Sequence, residues 1–229
     1  MVNETLTPAA RPDASPERAL VLSYAPAAAR AALAAVLALD DALAAIVRAA
    51  REPMIGQMRL TWWHGALTAL DEGVVPAQPV LTALARDALP RGVSGLRLAG
   101  MIDGWEMLLD AEPLDEARLA AYAAGRGGAL FAAAGVALGS APGDPLATGG
   151  EGWALADLVA HVGDGTERAA AAALGRDRLA AATGVRWSRA ARALGAMAHG
   201  ARMDLADPGM PVGSPRRVAR LLRHRLTGR

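Results

Sequence analysis

The chain has 229 residues, carries a net charge of +1 and contains no cysteine. The absence of cysteine excludes disulfides, thiolate metal sites and a cysteine nucleophile, and it fits a reducing cytoplasm, where we expect the protein to work. No apolar run reaches the ~18–20 uncharged residues needed to span a bilayer. Residues 1–14 lack the basic start and apolar segment of a secretory signal.

The composition favours helices over strands. Alanine, the best intrinsic helix former, makes up roughly a quarter of the chain, whereas aromatic residues contribute 3%. We expect a flexible lead over residues 1–14 and one helical domain over 15–229. Cap residues, prolines and apolar periodicity predict helices, in chain order, over residues 15–24, 27–50, 54–70, 80–89, 94–110, 114–138, 152–162, 166–174, 176–183, 187–206 and from 216 onward, with loops over 71–79, 139–150 and 208–215. This pattern predicts an all-α, single-domain bundle.

The predicted helix over 94–110 has two contrasting faces. Its apolar face consists of Leu98, Met101, Ile102, Trp105 and Leu109. Asp103, Glu106 and Asp110 lie roughly opposite, and a solvated face is the simplest interpretation of these acids.

Two adjacent acids, Asp40 and Asp41, interrupt the apolar helix predicted over 27–50. Carboxylates three or four residues apart on a helix share a face and can hold Mg²⁺. Here Ala44 and Ala45 stand four residues further on, so a second carboxylate is missing. The pair is therefore a metal site that has lost a carboxylate ligand, a solvated acidic patch, or a partner for a nearby arginine.

A second acidic group follows in the predicted helix over 152–162. Asp157, His161 and Asp164 are spaced by four and three residues and fall on one helix face. Mg²⁺ seldom takes imidazole, so this is a poor magnesium site. A solvent face or a local helix cap explains it better.

Arginines and tryptophans flank the predicted break near residue 53. Arg48, Arg51 and Arg59 precede Trp62 and Trp63. Arginines at a helix junction can hold phosphate oxygens with two hydrogen bonds. Adjacent tryptophans point about 100° apart on a helix, so at most one lies deep in the core. The other can line a pocket or a partner surface.

Glycines surround Tyr122 in the most apolar predicted helix. Gly125, Gly127 and Gly128 each lower helix stability by up to ~1 kcal/mol. Their benefit is close approach, either by a neighbouring helix or by a long apolar ligand.

The C-terminal segment 216–229 holds six of the 24 basic residues and no acid. Its apolar stripe consists of Val218, Leu221, Leu222 and Leu226. The stripe either packs on the bundle or contacts anionic lipid at a membrane surface.

Several segments resemble the squalene/phytoene synthase family of head-to-head prenyl transferases, and the resemblance extends from about Arg18 to Arg229. The strongest are Tyr24-Ala25-Pro26, residues 31–41, and Glu52-Pro53-Met54-Ile55-Gly56-Gln57-Met58-Arg59-Leu60-Thr61-Trp62-Trp63, which is similar to the family's E-P-x-x-G-x-x-R-L-x-W-W stretch. Residues 102–106, 222–229 and Tyr122-Ala123-Ala124-Gly125-Arg126-Gly127-Gly128, similar to Y-x-A-G-x-x-G, add to it.

The resemblance implies an isoprenoid (terpenoid) synthase fold with a central apolar cavity. Active members join two farnesyl or geranylgeranyl diphosphates, and two D-x-x-x-D motifs hold the Mg²⁺ that neutralises the departing diphosphate. By position, Asp40 and Asp41 take the metal-binding and catalytic roles of the first motif, and Tyr122 a catalytic role. The implied substrate-binding residues are Arg48, Arg51, Arg59, Trp62, Trp63 and Asp157.

Both motifs depart from the family pattern. The first lacks its second acid, and in the second region only Asp157 and Asp164 remain, with Val162-Gly163 where an arginine–aspartate pair is expected. The eroded first motif resembles that of mitochondrial members that serve as assembly factors for respiratory complex I.

Two main hypotheses follow. The first is a non-catalytic protein that binds a prenyl lipid or a protein partner, peripheral to the inner membrane and needing no metal. The second is an active prenyltransferase that uses Mg²⁺ with unusual ligands on prenyl diphosphates. A helical protein without a prenyl ligand would instead have a residue-filled centre. No nucleic-acid partner is expected.

Overall fold

The computed structural model describes residues 16–109 and 112–229, and all regular elements in these ranges are helical, as predicted. The helices are α1 (Pro16–Tyr24), α2 (Arg30–Ala49), α3 (Pro53–Ala69), α4 (Pro79–Ala83), α5 (Gly95–Ala99), α6 (Ile102–Glu106), α7 (Glu116–Tyr122), α8 (Ala129–Leu138), α9 (Leu146–His161), α10 (Gly165–Gly184), α11 (Arg192–Ala206) and α12 (Pro215–Thr227). A π-helical segment, Ala123–Gly128, joins α7 to α8. The predicted lead over 1–14, the helix start at Ser15 and the acidic Asp110 lie outside the described residues.

Helix α9 lies at the centre of the bundle, where it contacts α8, α10, α11 and the π-helical segment. Helix α2 packs on α8 because its inner face is apolar, with Val36 and Leu43 fully buried. Asp40 follows Val36 by four residues and precedes Leu43 by three, so it shares that face. The fold thus carries the Asp40 carboxylate into the core, where it is 4% exposed.

Several predicted boundaries were wrong. The helix predicted over 94–110 is interrupted between α5 and α6, where Gly100 weakens the helix. The loop predicted over 139–150 is shorter than expected. It ends at Pro145, and Gly149 and Gly150 lie inside α9. The helices predicted over 166–174 and 176–183 are the single helix α10, and residues 187–191 lie outside the helices, before α11 begins.

Two glycine pairs let helix backbones touch. Gly127 of the π-helical segment faces Gly150 of α9, and Gly125 faces Gly104 of α6; a Cβ on any of them would collide with the facing backbone. Close helix packing is therefore the role of Gly125 and Gly127. The two contacts hold the π-helical segment between α6 and α9. Gly125 and Gly127, which make these contacts, flank Arg126 in the sequence.

The segment Glu116–Leu138 is the one stretch of the described chain that is long and apolar enough to cross a membrane. However, 56% of its most apolar window is buried inside the bundle. Apolar core helices of globular proteins have the same character, so length and composition are weak grounds for a membrane span. The segment also carries Arg126 near its middle.

Candidate active site and its central arginine

Arg126 lies at the centre of the bundle, where it is 4% exposed. Its guanidinium donates two hydrogen bonds to Asp40 of α2, from Nε to Oδ1 at 3.1 Å and from Nη2 to Oδ2 at 2.9 Å. Nη1 donates to the Tyr122 hydroxyl and to Asp157 Oδ2 of α9, both at 2.6 Å. Four of the five guanidinium N–H groups are thus engaged, and one cation links the carboxylates of α2 and α9.

Two indole rings pack against this guanidinium. Its central carbon lies 4.1 Å from the ring centroid of Trp105 and 4.8 Å from that of Trp153. Trp105 also donates from Nε1 to Asp40 Oδ1 at 3.1 Å. Desolvated cation–π contacts of this kind stabilise by up to about 2 kcal/mol each. We call Asp40, Trp105, Tyr122, Arg126, Trp153 and Asp157 the central cluster.

Arg126 and Tyr122 keep their protons near neutral pH. Burial by itself lowers the pKa of Arg126, but the attraction of Asp40, Tyr122 and Asp157 outweighs it, and the pKa is raised well above its ordinary value. Burial raises the pKa of Tyr122 to about 12. Because neither group titrates near pH 7, neither is suited to act as a general base there.

A cavity of about 330 Å³ opens beside the cluster. Its apolar lining comprises Val47, Met107, Leu108, Leu114, Leu158 and Val162, and Arg48, Glu112, His161 and Glu167 add polar groups. Trp105, Tyr122, Arg126 and Asp157 of the cluster also contribute to its wall. The volume lies at the lower end of the roughly 300–1,000 Å³ typical of small-molecule sites. An apolar cavity thus reaches the central cluster of the bundle.

The structure brings only some of the predicted site residues together. Asp40, Tyr122 and Asp157 meet at Arg126, whereas Asp41 pairs with Arg18 of α1 through hydrogen bonds of 2.6 and 2.7 Å. Arg48 lines the cavity.

The remaining predicted binding residues lie on α3 or at its start. Arg51 and Arg59 are exposed, and so is Trp62, at 52%. Trp63 is buried, as expected for one of two adjacent tryptophans. Of the described residues that line the cavity, none belongs to this group.

The second acidic group separates into distinct roles. Asp164 caps α10 by accepting from the backbone N–H groups of Thr166 and Glu167, which confirms the cap interpretation. His161 is exposed, and its Nδ1 lies 2.7 Å from the backbone oxygen of Asp157 and 3.9 Å from the carboxylate. Asp157 itself faces Arg126 with its carboxylate half-buried rather than fully solvated.

The sequence analysis missed three members of the central cluster as site residues: Arg126, Trp105 and Trp153. A signal for Arg126 was present. It is the one charged residue between residues 119 and 138, and glycines flank it. An arginine buried in such an apolar helix needs a partner of opposite charge.

The arrangement does not fit the magnesium that the family pattern implies. Both Asp40 oxygens accept from Arg126, both Asp41 oxygens accept from Arg18, and Asp157 accepts from Arg126. In residues 16–109 and 112–229 no three side chains of His, Asp or Glu are grouped to hold a metal ion. A guanidinium stands where a divalent cation would need these oxygens.

The fold is that of a terpenoid synthase. A crystal structure of a dehydrosqualene synthase in complex with ligand is similar, with a TM-score of 0.70, 16% sequence identity, and coverage of 92% of this chain and 90% of that one. The family model of squalene/phytoene synthase matches residues 11–207. The chain therefore belongs to the squalene/phytoene synthase family. No curated protein matches it.

Proposed function

We propose that this chain is a non-catalytic member of the squalene/phytoene synthase family that binds one apolar, lipid-like ligand. The observation that carries the proposal is the engagement of Asp40 and Asp157 by the same guanidinium. Asp40 is the buried carboxylate of the first motif region and Asp157 the half-buried one of the second, and Arg126 pairs with both in place of a metal.

The chemistry of the family supports this proposal. Departure of a diphosphate needs cations that bind its oxygens as charge develops. Arg126 has one N–H group left and two indole rings against it, so it presents little to a phosphate. The cavity volume of about 330 Å³ also argues against two prenyl diphosphates bound side by side.

The test is diphosphate release from farnesyl or geranylgeranyl diphosphate in the presence of Mg²⁺. We expect no release above background, and the same result for an Asp40→Ala/Asp41→Ala variant. Release by the wild-type chain that the double substitution abolishes would overturn the proposal.

A role in membrane-complex assembly is the biological part of the proposal. It is supported by the eroded first motif, which resembles that of the complex I assembly branch. Disruption of the gene should impair a membrane complex while squalene and carotenoid levels stay unchanged. An isoprenoid defect without a loss of the complex would contradict this role.

Helix α12 supports peripheral contact with an anionic membrane. Its inner face is buried at Arg217, Leu221 and His224, while Val218, Leu222 and Leu226 are 44–72% exposed on the outside. The flanking arginines of 216–229 are mostly exposed, and the segment has no acid. An apolar stripe edged by cations suits an anionic lipid surface.

Liposome sedimentation tests the membrane contact. We expect binding to phosphatidylserine vesicles that weakens as salt rises and is lost in a Leu222→Ser/Leu226→Ser variant, which leaves the buried face of α12 intact. Equal binding of this variant, or binding that neutral vesicles support equally, would contradict it.

A further inference from the structure

The polar groups around the cavity differ in charge from those of a diphosphate site. Three carboxylates line it, those of Glu112, Asp157 and Glu167, against two arginines. One of these, Arg126, is already held by Asp40 and Asp157. The exposed Arg48 is thus the single lining cation, within the described residues, for which no carboxylate partner is identified.

The carboxylates are also the groups that a ligand can reach. Asp157 is 37% exposed at its side chain and accepts one hydrogen bond from Arg126. Glu112 is 75% exposed and pairs with Arg118 at 3.0 Å. Glu167 accepts from the backbone N–H of Leu114 at 2.8 Å. A carboxylate accepts hydrogen bonds and repels anions.

We infer that the cavity takes an apolar chain with an uncharged, hydrogen-bond-donating head, such as a prenyl alcohol, in preference to a prenyl diphosphate. The chain would lie against Leu108, Leu158 and Val162, and its hydroxyl would donate to Asp157. A diphosphate in the same place would face three carboxylates against two arginines, of which Arg126 has only one N–H group left and Arg48 is exposed at the rim. This inference rests on the proposed function, because it names the ligand of that pocket.

Direct binding measurements test the inference. We would titrate the full chain with farnesol and with farnesyl diphosphate, without metal, and follow tryptophan fluorescence, to which Trp105 in the cavity wall contributes. Farnesol should bind at least about tenfold more tightly than farnesyl diphosphate. Equal or tighter binding of the diphosphate would overturn the inference, as would the failure of both to bind.

Charge-neutralising variants test whether the carboxylates, rather than the apolar lining alone, disfavour the diphosphate. Glu112→Gln/Glu167→Gln should strengthen the binding of farnesyl diphosphate by about three- to tenfold and leave farnesol binding unchanged. The matched control, Glu72→Gln, removes an acid that does not line the cavity and should change neither affinity. Unchanged diphosphate affinity in the double variant would refute the electrostatic argument.

The two proposals fail in different ways. Formation of a condensed product from farnesyl diphosphate would overturn the proposed function itself. Tight diphosphate binding without product would overturn only the choice of ligand.

Discussion

Arg126 and Asp40 are 86 positions apart in the sequence, and they form a two-point ion pair in the core, with side chains 5% and 6% exposed. The pair joins the π-helical segment to α2, and a third bond to Asp157 extends it to α9. It therefore links three helices at the position where the family pattern implies metal binding.

Substitution of Arg126 by Met should destabilise the protein by about 3–5 kcal/mol, because it leaves Asp40 buried without its cation. The measurement is the free energy of unfolding from urea denaturation. In an Arg126→Met/Asp40→Leu variant much of this loss should be recovered, because a buried pair replaced by apolar side chains costs little. A single-variant loss below about 1 kcal/mol would show that the pair is unimportant.

The wild-type chain should be indifferent to magnesium. Adding MgCl₂, compared with NaCl of equal ionic strength, should shift Tm by less than about 1 °C. A metal raises Tm only when the folded chain binds it more tightly than the unfolded chain does. EDTA should have no effect.

Removal of Arg126 should create a response to magnesium. In Arg126→Ala, Mg²⁺ should raise Tm, because Asp40 and Asp157 then lack their common cation. The control, Arg126→Ala/Asp40→Asn, should not respond. A magnesium-dependent Tm increase in the wild-type chain would contradict the role of Arg126.

The glycine contact between the π-helical segment and α9 gives a matched pair of substitutions. Gly127→Ala should destabilise the protein by several kcal/mol, because its Cβ would meet the Gly150 backbone. Gly128→Ala should be neutral or stabilising by up to about 1 kcal/mol, because its nearest neighbours would lie 3.9 Å away. Thermal unfolding of both variants checks this, and equal effects would refute the crossing geometry.

Two buried histidines predict acid sensitivity where α11 meets α12. Burial, with nearby charges, lowers the pKa of His199 to about 3; burial also lowers that of His224 to about 4. The charged groups acting on this pair are Arg192, Arg202 and Arg220. The unfolded chain binds protons below about pH 6.5 while the folded chain does not. Stability from each histidine is therefore complete above pH 6.5 and is lost as pH falls toward 4.

Each histidine contributes at most about 1.4 kcal/mol per pH unit to this loss. Urea denaturation between pH 6.5 and 4.5 measures the slope, which His199→Gln should reduce. His64→Gln, at an exposed position on α3, should leave the slope unchanged. Equal slopes in all three proteins would contradict the prediction.

The helices could be predicted from local signals, and the central cluster only in part. The sequence placed Asp40 and Asp41 inside an apolar helix, and Asp40 is buried in the structure. What it could not give was the partner, since Arg126 reaches Asp40 across 86 positions and through a glycine contact that depends on the tertiary fold. Two glycines predicted to lie in a loop lie inside α9 for tertiary reasons, since Gly150 faces the backbone of Gly127 and Gly149 faces the ring of Trp187.

The roles proposed for the arginines near residue 53 stay predictions. Arg59 and Trp62 of α3 are exposed, as is Arg51 just before this helix, and among the described residues none of the three lines the cavity. Their sequence pattern matched the family, but sequence spacing does not show which side of α3 faces the pocket.

The most direct test of the account is a product assay by mass spectrometry with farnesyl and geranylgeranyl diphosphate, Mg²⁺ and a high concentration of the full chain, with an active dehydrosqualene synthase as the positive control. A guanidinium that holds the carboxylates of both Asp40 and Asp157 predicts unchanged substrates and no condensed hydrocarbon or cyclopropyl product. A squalene- or phytoene-type product that depends on Mg²⁺ and on Asp40 would contradict the account.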